Sequence, residues 1–336
     1  MSEQSGKIVF ASGSVNDYDL WSLDMATGDI LQLTHGKNWN DKPCWSPDGS
    51  RVVFTSNRKG KGQEIFWVPA EGGEAVALTS LGVWADCPVF SPDGTQIAFI
   101  SNEAGNNDVW LMDADGENRA QVTTHEGSDK HVRWAQDGRG LYFSSDRNDG
   151  DADIWHIDLS SRQTKQINQD GGLDISPTPS PDGSVIAFCS NRQLKANPND
   201  KFADRDKDIW LMRADGTMPV RLTDNQGADY SPSWSPDGTH ILYTASDTSV
   251  ECHLRVVDVS DVRAAYARGD HDAVKKAAKR LRHTKVQYDR SGMKEEIGAQ
   301  RHAIFLTSWI PDRLMKGVYP HGYFGHERNP HWVGTT

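Results

Sequence analysis

The tetrapeptide Ser46-Pro47-Asp48-Gly49 decides the fold of this chain, because it recurs at a nearly constant interval. Further copies of SPDG begin at Ser91, Ser180 and Ser235, and a degenerate AQDG begins at Ala135. Each copy is followed by an apolar run that ends in an aromatic residue: Phe54, Phe99, Phe143, Phe188 or Tyr243. A similar run without a preceding SPDG lies near the N-terminus and ends at Phe10. Successive aromatic residues are 44, 45, 44, 45 and 55 positions apart. A period of about 45 residues with several short strands is typical of β-propeller blades.

One repeat, residues 88–123, predicts four strands. Pro88–Phe90 predicts a first strand, and Ser91–Gly94 predicts a turn, because proline presets φ and glycine tolerates positive φ. The second, third and fourth strands are predicted at Gln96–Ser101, Val109–Met112 and Ala120–Thr123. Each blade is therefore predicted to be a four-stranded antiparallel sheet.

The two ends of the chain predict how the ring closes. The N-terminal repeat has no candidate first strand before Lys7–Ser12, whereas Asn329–Gly334 matches the first-strand pattern of Ser231–Ser235. Pairing of Asn329–Gly334 with Lys7–Ser12 would remove two open sheet edges. We therefore expect an all-β, six-bladed propeller closed by a C-terminal strand, with a seven-bladed propeller as the alternative.

One stretch departs from the repeat. The chain is predicted to be a single propeller domain over residues 1–336, with a helical insertion at 259–301 in its last blade. Apolar residues recur at helical spacing between Val262 and Lys285, where eight basic residues accompany only Asp270 and Asp272. Such a helix can dock an acidic partner, a second subunit or an anionic polymer, or it can be a solvated surface that packs on the propeller.

Composition limits the partners and the compartment. The net charge is −11, with 36 basic against 47 acidic residues, which argues against nucleic acid as a partner. No apolar run approaches the roughly 20 residues of a membrane span. The N-terminus does not resemble a signal peptide, so we expect a cytoplasmic protein, or a periplasmic one if this is a mature form. The four cysteines contain no CxxC pair, which favours buried free thiols.

The combined motifs resemble the TolB-type, or WD-like, propeller repeat. They are SPDG, an apolar strand, Ser-Asn-Arg (residues 56–58 and 190–192) or Ser-Asp-Arg (145–147), then Asp-Ile-Trp (153–155 and 208–210). The resemblance implies the propeller fold, but the same blades occur in TolB-like binding scaffolds, in prolyl oligopeptidase-type proteases and in oligogalacturonate-lyase-like enzymes. No G-x-S-x-G motif is present to support a hydrolase.

Residues that recur in every blade are expected to be structural, so function is sought where blades differ. Counting back from the SPDG glycine, the fourth blade places His131 and Arg133 where the next two blades have serine or threonine. Glu327 and His331 occupy similar positions in the C-terminal segment. First strands are innermost in a propeller, so these four side chains are predicted to converge on the central channel.

Acidic residues also precede each predicted first strand, and we expect them to bind ligand by giving the channel mouth a negative potential: Asp41, Asp86, Asp129, Asp174, Asp229 and Glu327. A negative mouth would attract a cation or a basic peptide. The alternative is a structural role, in which each carboxylate caps a turn or binds backbone N–H groups.

Three chemical interpretations follow. The first is a non-catalytic scaffold that binds a ligand, a peptide or a partner protein at the channel mouth. The second is a divalent metal, manganese or calcium, held by His326, Glu327, Asn329 and His331, where Glu327 and Asn329 stand in the positions that the lyase resemblance assigns to histidines. The third is β-elimination on a uronate-containing substrate, with Arg133 neutralising the carboxylate and His131 or His331 removing the proton. A calcium site at Asp204, Asp206 and Asp208 is a separate expectation.

Overall fold

The structure, a computed structural model, describes residues 6–14, 17–24, 27–60, 62–148, 150–169, 172–192, 207–224, 227–246, 252–285 and 303–310. These ranges form six four-stranded antiparallel sheets. The predicted six-bladed propeller is thus confirmed. Among the described residues, no helix has the length and apolar character needed to cross a bilayer.

The blades follow the chain in order. From the innermost strand outward, blade 1 consists of β24 (Ala303–Ile310), β1 (Lys7–Ser14), β2 (Asp17–Asp24) and β3 (Ile30–Gln32). Blade 2 consists of β4 (Asn40–Trp45), β5 (Arg51–Ser56), β6 (Glu64–Pro69) and β7 (Val76–Ala77). Blade 3 consists of β8 (Ala85–Phe90), β9 (Gln96–Ser101), β10 (Asp108–Asp113) and β11 (Ala120–Gln121).

In the same order, blade 4 consists of β12 (Asp129–Trp134), β13 (Gly140–Ser145), β14 (Asp153–Asp158) and β15 (Thr164–Gln166). Blade 5 consists of β16 (Asp174–Pro179), β17 (Val185–Ser190), β18 (Asp208–Arg213) and β19 (Val220–Arg221). Blade 6 consists of β20 (Asp229–Trp234), β21 (His240–Ser246), β22 (Cys252–Asp258) and β23 (His283–Lys285). Each innermost strand contacts the innermost strands of both neighbouring blades. The six innermost strands therefore surround the central channel.

The repeated aromatic residue forms the middle of each blade. It lies on the second strand, and all six copies are fully buried: Phe10, Phe54, Phe99, Phe143, Phe188 and Tyr243. Apolar side chains on both faces of the second strand pack against the neighbouring blades. The described hydrophobic core therefore consists of separate clusters, one at each junction between successive blades from blade 1 to blade 6.

The SPDG turn is held by its own side chains. The Ser46 hydroxyl donates to Asp48 Oδ1 at 2.5 Å, and the Ser50 N–H donates to the same oxygen at 3.0 Å. These hydrogen bonds, that of Ser46 foremost, lower the pKa of Asp48 to about 2. Gly49 takes a φ of 69°, which glycine adopts without strain. SPDG is therefore a local folding signal.

The strand that closes the ring is not the predicted one. β24, at Ala303–Ile310, pairs antiparallel with β1, from Lys7 opposite Ile310 to Gly13 opposite Ala303. The other edge of β1 pairs with β2, so both edges of β1 are occupied. Closure by a C-terminal strand is confirmed, but its assignment to Asn329–Gly334 was wrong, and that segment lies outside the described residues.

The helices predicted between Val262 and Lys285 are confirmed as two short helices in blade 6, whereas the predicted bounds of the insertion, 259–301, extend beyond the described residues. α1 (Ser260–Ala267) and α2 (His271–Ala278) follow β22, and Asp270 caps α2 by accepting the Ala273 N–H at 2.9 Å. His283–Lys285, inside the predicted insertion, forms the fourth strand of the blade. The helices therefore interrupt the connection between the third and fourth strands.

Gly216 shows how closely neighbouring blades approach, and it supports a stability prediction. It lies in the turn between β18 and β19 at a φ of 88°, where an added Cβ would overlap the carbonyl oxygen of Ile167 in blade 4. Gly60 has a similar φ of 80° with nothing within 4 Å. We expect Gly60→Ala to destabilise by about 1–2 kcal/mol through backbone strain alone, and Gly216→Ala by about 3–5 kcal/mol because overlap adds to strain. Urea unfolding of both variants measures the difference, and equal losses would refute the close approach.

Candidate functional site

The acidic residues nearest the start of the innermost strands divide into two groups. Asp129, Asp174 and Asp229 stand nine positions before the SPDG-type glycine, whereas Asp41 and Asp86 stand eight before it. Successive side chains of a strand point to opposite sides. The two groups therefore have different surroundings, and Glu327, the sixth predicted member, lies outside the described residues.

The first group lies inside the blades. Arg147 Nη2 donates to both carboxylate oxygens of Asp129, at 2.9 and 3.0 Å, and Arg192 Nη2 donates to Asp174 at 2.9 Å. Asp129, Asp174 and Asp229 are fully buried. Burial raises the pKa of Asp129 and of Asp174, and the paired arginine opposes this in each case. The geometry gives these pairs a structural role, and ligand binding by this group stays a prediction.

The arginine of the Ser-Asn/Asp-Arg motif is held by aromatic rings as well. The Arg147 guanidinium carbon lies 5.0 Å from the Phe143 ring centroid and 4.9 Å from that of Trp155. Arg58 repeats this arrangement in blade 2, where Nη2 donates to the Asn40 side chain at 2.8 Å. The recurring motif residues are thus used in holding each blade together.

The second group lies among charged side chains of neighbouring blades. The Thr55 hydroxyl donates to Asp86 at 3.0 Å, and Lys42 Nζ lies 4.0 Å from the other Asp86 oxygen. Burial raises the pKa of Asp41 to about 6, Lys42 opposes the shift, and the nearby Asp86 adds to it. Asp41, Lys42 and Asp86 therefore form one charged cluster at the junction of β4 and β8.

A bulge with positive φ recurs in five innermost strands. In β12, Lys130 and Arg133 have partners on β13, and the two residues between them oppose a single one. The bulged residue takes a φ of 52–55° in every blade where it is described: Lys42, Cys87, His131, Ser176 and Ser231. Such a conformation costs on the order of 1–3 kcal/mol in a non-glycine residue. The surrounding sheet must hold it in place, and the side chains it carries differ from blade to blade.

We define the channel wall as eight polar residues of the innermost strands, four of them bulged residues and four their near neighbours: Lys42, His131, Ser176 and Ser231, with Lys130, Arg133, Thr178 and Tyr230. All are half-buried and lie on β4, β12, β16 and β20. The part on blades 2 and 4 carries the cations, whereas the part on blades 5 and 6 carries hydroxyls and one phenol. Arg133 and Lys42 both act on the neighbouring Cys87 thiol, whose pKa burial raises to about 12. The part of the channel whose side chains are described is therefore lined asymmetrically.

The structure brings together only some of the predicted functional residues. His131 and Arg133 lie two positions apart on β12, whereas His326, Glu327, Asn329 and His331 lie outside the described residues. No three His, Cys, Asp or Glu side chains within the described ranges are grouped to hold a metal. Asp208 accepts from Arg221 Nη2 at 2.7 Å, and its predicted calcium partners Asp204 and Asp206 are outside those ranges.

Two carboxyl groups on third strands, Asp19 and Asp108, escaped the sequence analysis. The Thr34 hydroxyl donates to Asp19 at 2.8 Å, and Gln121 Nε2 donates to Asp108 at 2.9 Å. Burial raises the pKa of four carboxyl groups to about 6: Asp19, Asp41, Asp108 and Asp208. A sequence signal for these groups was present. In several blades an acidic residue lies at or near the start of the third strand, and a threonine follows the fourth strand of the same blade.

These four groups predict that the protein is more stable in mild acid than at neutral pH. Between the unfolded carboxyl pKa of about 4 and the folded value of about 6, the folded state binds more protons, so stability falls as the pH rises through this window. His156 and His283 act in the opposite direction, because burial lowers the pKa of each.

Thermal unfolding between pH 3 and 8 measures the balance. We expect the melting temperature to peak near pH 4–5, since Asp48 and Asp182, with pKa values lowered to about 2, lose their stabilising hydrogen bonds below that range. Asp108→Asn should reduce the decline between pH 4 and 6. A melting temperature that rises steadily from pH 4 to 7 would contradict the prediction.

The fold and the channel wall define the chain as a six-bladed β-propeller with a blade-specific, polar channel. Residues 82–150 match the family model of the TolB β-propeller domain. A TolB homologue of Chlorobium luteolum is 30% identical over 142 residues, which cover 42% of this chain and 29% of that protein. The resemblance to TolB-type propellers is thus confirmed.

Solved structures agree on the fold. TolB from Acinetobacter baumannii superposes with a TM-score of 0.67 at 19% identity, covering 91% of this chain and 67% of that one. Oligogalacturonate lyase from Vibrio parahaemolyticus gives a TM-score of 0.52 at 17% identity, covering 73% of each chain. The matches span about half or less of the curated relatives' lengths. At these identities the structures share the fold alone.

Proposed function

We propose that this chain is a TolB-like binding scaffold whose ligand, a peptide, a small molecule or a segment of a partner protein, binds at the mouth of the channel. The observation that supports this is the division between repeated and unique residues. The repeated Asp–Arg pairs, aromatic rings and SPDG turns are used within blades. The residues that differ between blades lie half-buried on the innermost strands.

The charge of the channel wall indicates the kind of ligand. Lys42, Lys130 and Arg133 lie half-buried on the innermost strands of blades 2 and 4, whereas Asp129 and Asp174 are buried in pairs with arginine. A ligand with a carboxylate or another anion at one end would meet the cations. Its uncharged part would meet Tyr230 and the hydroxyl side chains of blades 5 and 6. Attraction of an anionic group is thus our proposal for this part of the channel, and the predicted attraction of a basic peptide stays a prediction.

Site-specific crosslinking tests the location. A photoreactive benzoyl-phenylalanine replaces Tyr230 in the channel wall, and a matched variant carries it at Val76, which is 46% exposed on β7 at the outer edge of blade 2. In a lysate of the source organism, we expect discrete adducts from position 230 and none from position 76. Adducts that form only at position 76 would move the binding site to the outer surface.

β-Elimination is the second candidate, supported by the fold neighbour and by His131 and Arg133 together on β12. Formation of unsaturated products from oligouronates tests it. Arg133→Ala should abolish such an activity, and wild-type protein without activity rules the lyase out.

A further inference from the structure

The helical hairpin, α1 and α2, is rigidly attached to blades 5 and 6. Val262 and Val274 are fully buried in the core that these blades share. The Tyr266 hydroxyl donates to the Met218 carbonyl at 2.9 Å. Arg263 Nη1 donates to the Gly238 carbonyl at 2.9 Å, and its Nη2 forms an ion pair with Asp182. The outer surface of the hairpin is therefore presented in a fixed orientation.

That outer surface carries what we call the basic patch: Lys275, Lys276, Lys279, Arg280 and Arg282. All five side chains are exposed, and none forms an ion pair within the part of the chain that the structure describes. Cations near a helix C-terminus gain a small stabilisation from the helix dipole. Like charges four positions apart, as at Lys275 and Lys279 or Lys276 and Arg280, repel by a similar order. Helix stability alone therefore does not account for five cations here.

The patch also stands out against the charge of the whole chain. Residues 260–285 contain eight basic and three acidic side chains, a net charge of +5, whereas the whole chain has −11. The remaining residues consequently carry −16. This concentration of positive charge on one projecting hairpin is what an acidic partner would recognise at long range.

We propose that the basic patch docks a short acidic segment of a partner protein. Lys275 and Lys276 lie in the last turn of α2, and Lys279, Arg280 and Arg282 follow within four residues of its end, so the patch occupies one short stretch of chain. Exposed Asp261, Asp270 and Asp272 border the patch on the same hairpin. A long polyanion or an anionic membrane surface would extend from the patch onto negatively charged protein, whereas a segment with a few carboxylates fits within it. This surface is separate from the channel wall, so the proposal does not depend on the proposed function.

Fluorescence anisotropy tests the proposal with a labelled twelve-residue peptide of alternating Glu and Ala. Comparison probes are a twelve-nucleotide single-stranded RNA and vesicles containing phosphatidylglycerol. The test variant combines Lys275→Glu, Lys276→Glu and Lys279→Glu, and a second variant replaces the same lysines with Gln. The matched control replaces three exposed cationic residues on other blades with Glu: Lys37, Arg139 and Lys165. Thermal unfolding of each variant confirms that it folds.

We expect the wild type to bind the peptide at 50 mM salt, and to bind it more weakly at 300 mM because salt screens surface charge. The Glu variant should weaken binding at least tenfold, the Gln variant at least threefold, and the control less than twofold. The proposal is overturned by absent peptide binding, by equal loss in the control variant, or by tighter binding to the RNA or the vesicles.

Discussion

A chain that ends at His302 should lose cooperative folding, whereas a chain that ends at Ile310 should keep it. β24 is the innermost strand of blade 1, and it pairs with β1 along its whole length. Without β24, β1 would expose an unpaired edge next to Ile8, Val9 and Phe10, which are fully buried in the intact ring. We expect a loss comparable with the roughly 5–15 kcal/mol that keeps a typical domain folded.

Size-exclusion chromatography and thermal unfolding of both truncated chains measure this effect. The chain ending at His302 should form concentration-dependent aggregates without a cooperative transition, as expected for an exposed strand edge. The chain ending at Ile310 serves as the control, and its melting temperature should stay within a few degrees of the wild type. If that chain also fails to fold, a segment beyond Ile310 is needed to close the ring.

The second large effect is expected from Arg147→Ala. It would leave the fully buried Asp129 without the arginine that donates to both of its carboxylate oxygens, and it would remove the cation from between Phe143 and Trp155. Removing one member of a buried ion pair costs about 3–5 kcal/mol. Arg119→Ala is the matched control, because Arg119 pairs with Glu103 at 3.5 Å on the surface, where such pairs contribute about 0–1 kcal/mol.

Chemical denaturation of these variants gives the free energies of unfolding. Asp129→Asn should be milder than Arg147→Ala, since blade 2 folds with Asn40 in the same position and Arg58 bonded to it at 2.8 Å. The double variant Asp129→Ala, Arg147→Met should be more stable than Arg147→Ala, because it leaves no unpaired buried charge. A loss below about 1 kcal/mol for Arg147→Ala would contradict the structural role of the pair.

The regular part of the fold could be predicted because several local signals agree. The SPDG turn, the buried aromatic residue and the spacing of about 45 residues all mark the same strands, so the period, the four strands per blade and the six blades are confirmed. The closing strand could not be predicted in this way. Asn329–Gly334 has the local pattern of a first strand, but pairing depends on which segment reaches the open edge of β1, and that is a non-local property.

The candidate site was only partly predictable for a similar reason. His131 and Arg133 stood out because they differ from the serine and threonine residues of blades 5 and 6, and both lie on the channel wall. The carboxylates were treated as one set, although a shift of one position moves a strand side chain to the other side. The positive-φ bulge was not predictable either, because Lys42, Cys87 and His131 carry no sequence signal for that conformation.

Together, these observations give the two kinds of residue separate roles. Repeated residues close turns, neutralise buried charge and pack between blades, whereas the channel wall carries different side chains on blades 2, 4, 5 and 6, at and beside a strained backbone position. Strain at one equivalent position in five blades is compatible with a shared architecture that allows each blade its own contact with a ligand.

The most direct test of ligand binding at the channel wall measures the yield of crosslinked adduct from position 230 in two variants of the protein. Arg133→Ala removes a cation of the channel wall, and Lys165→Ala removes an exposed cation on the outermost strand of blade 4. We predict that Arg133→Ala lowers the adduct yield at least fivefold while Lys165→Ala leaves it unchanged. Equal yields in both backgrounds would contradict the claim that blade-specific residues of the channel wall bind the ligand.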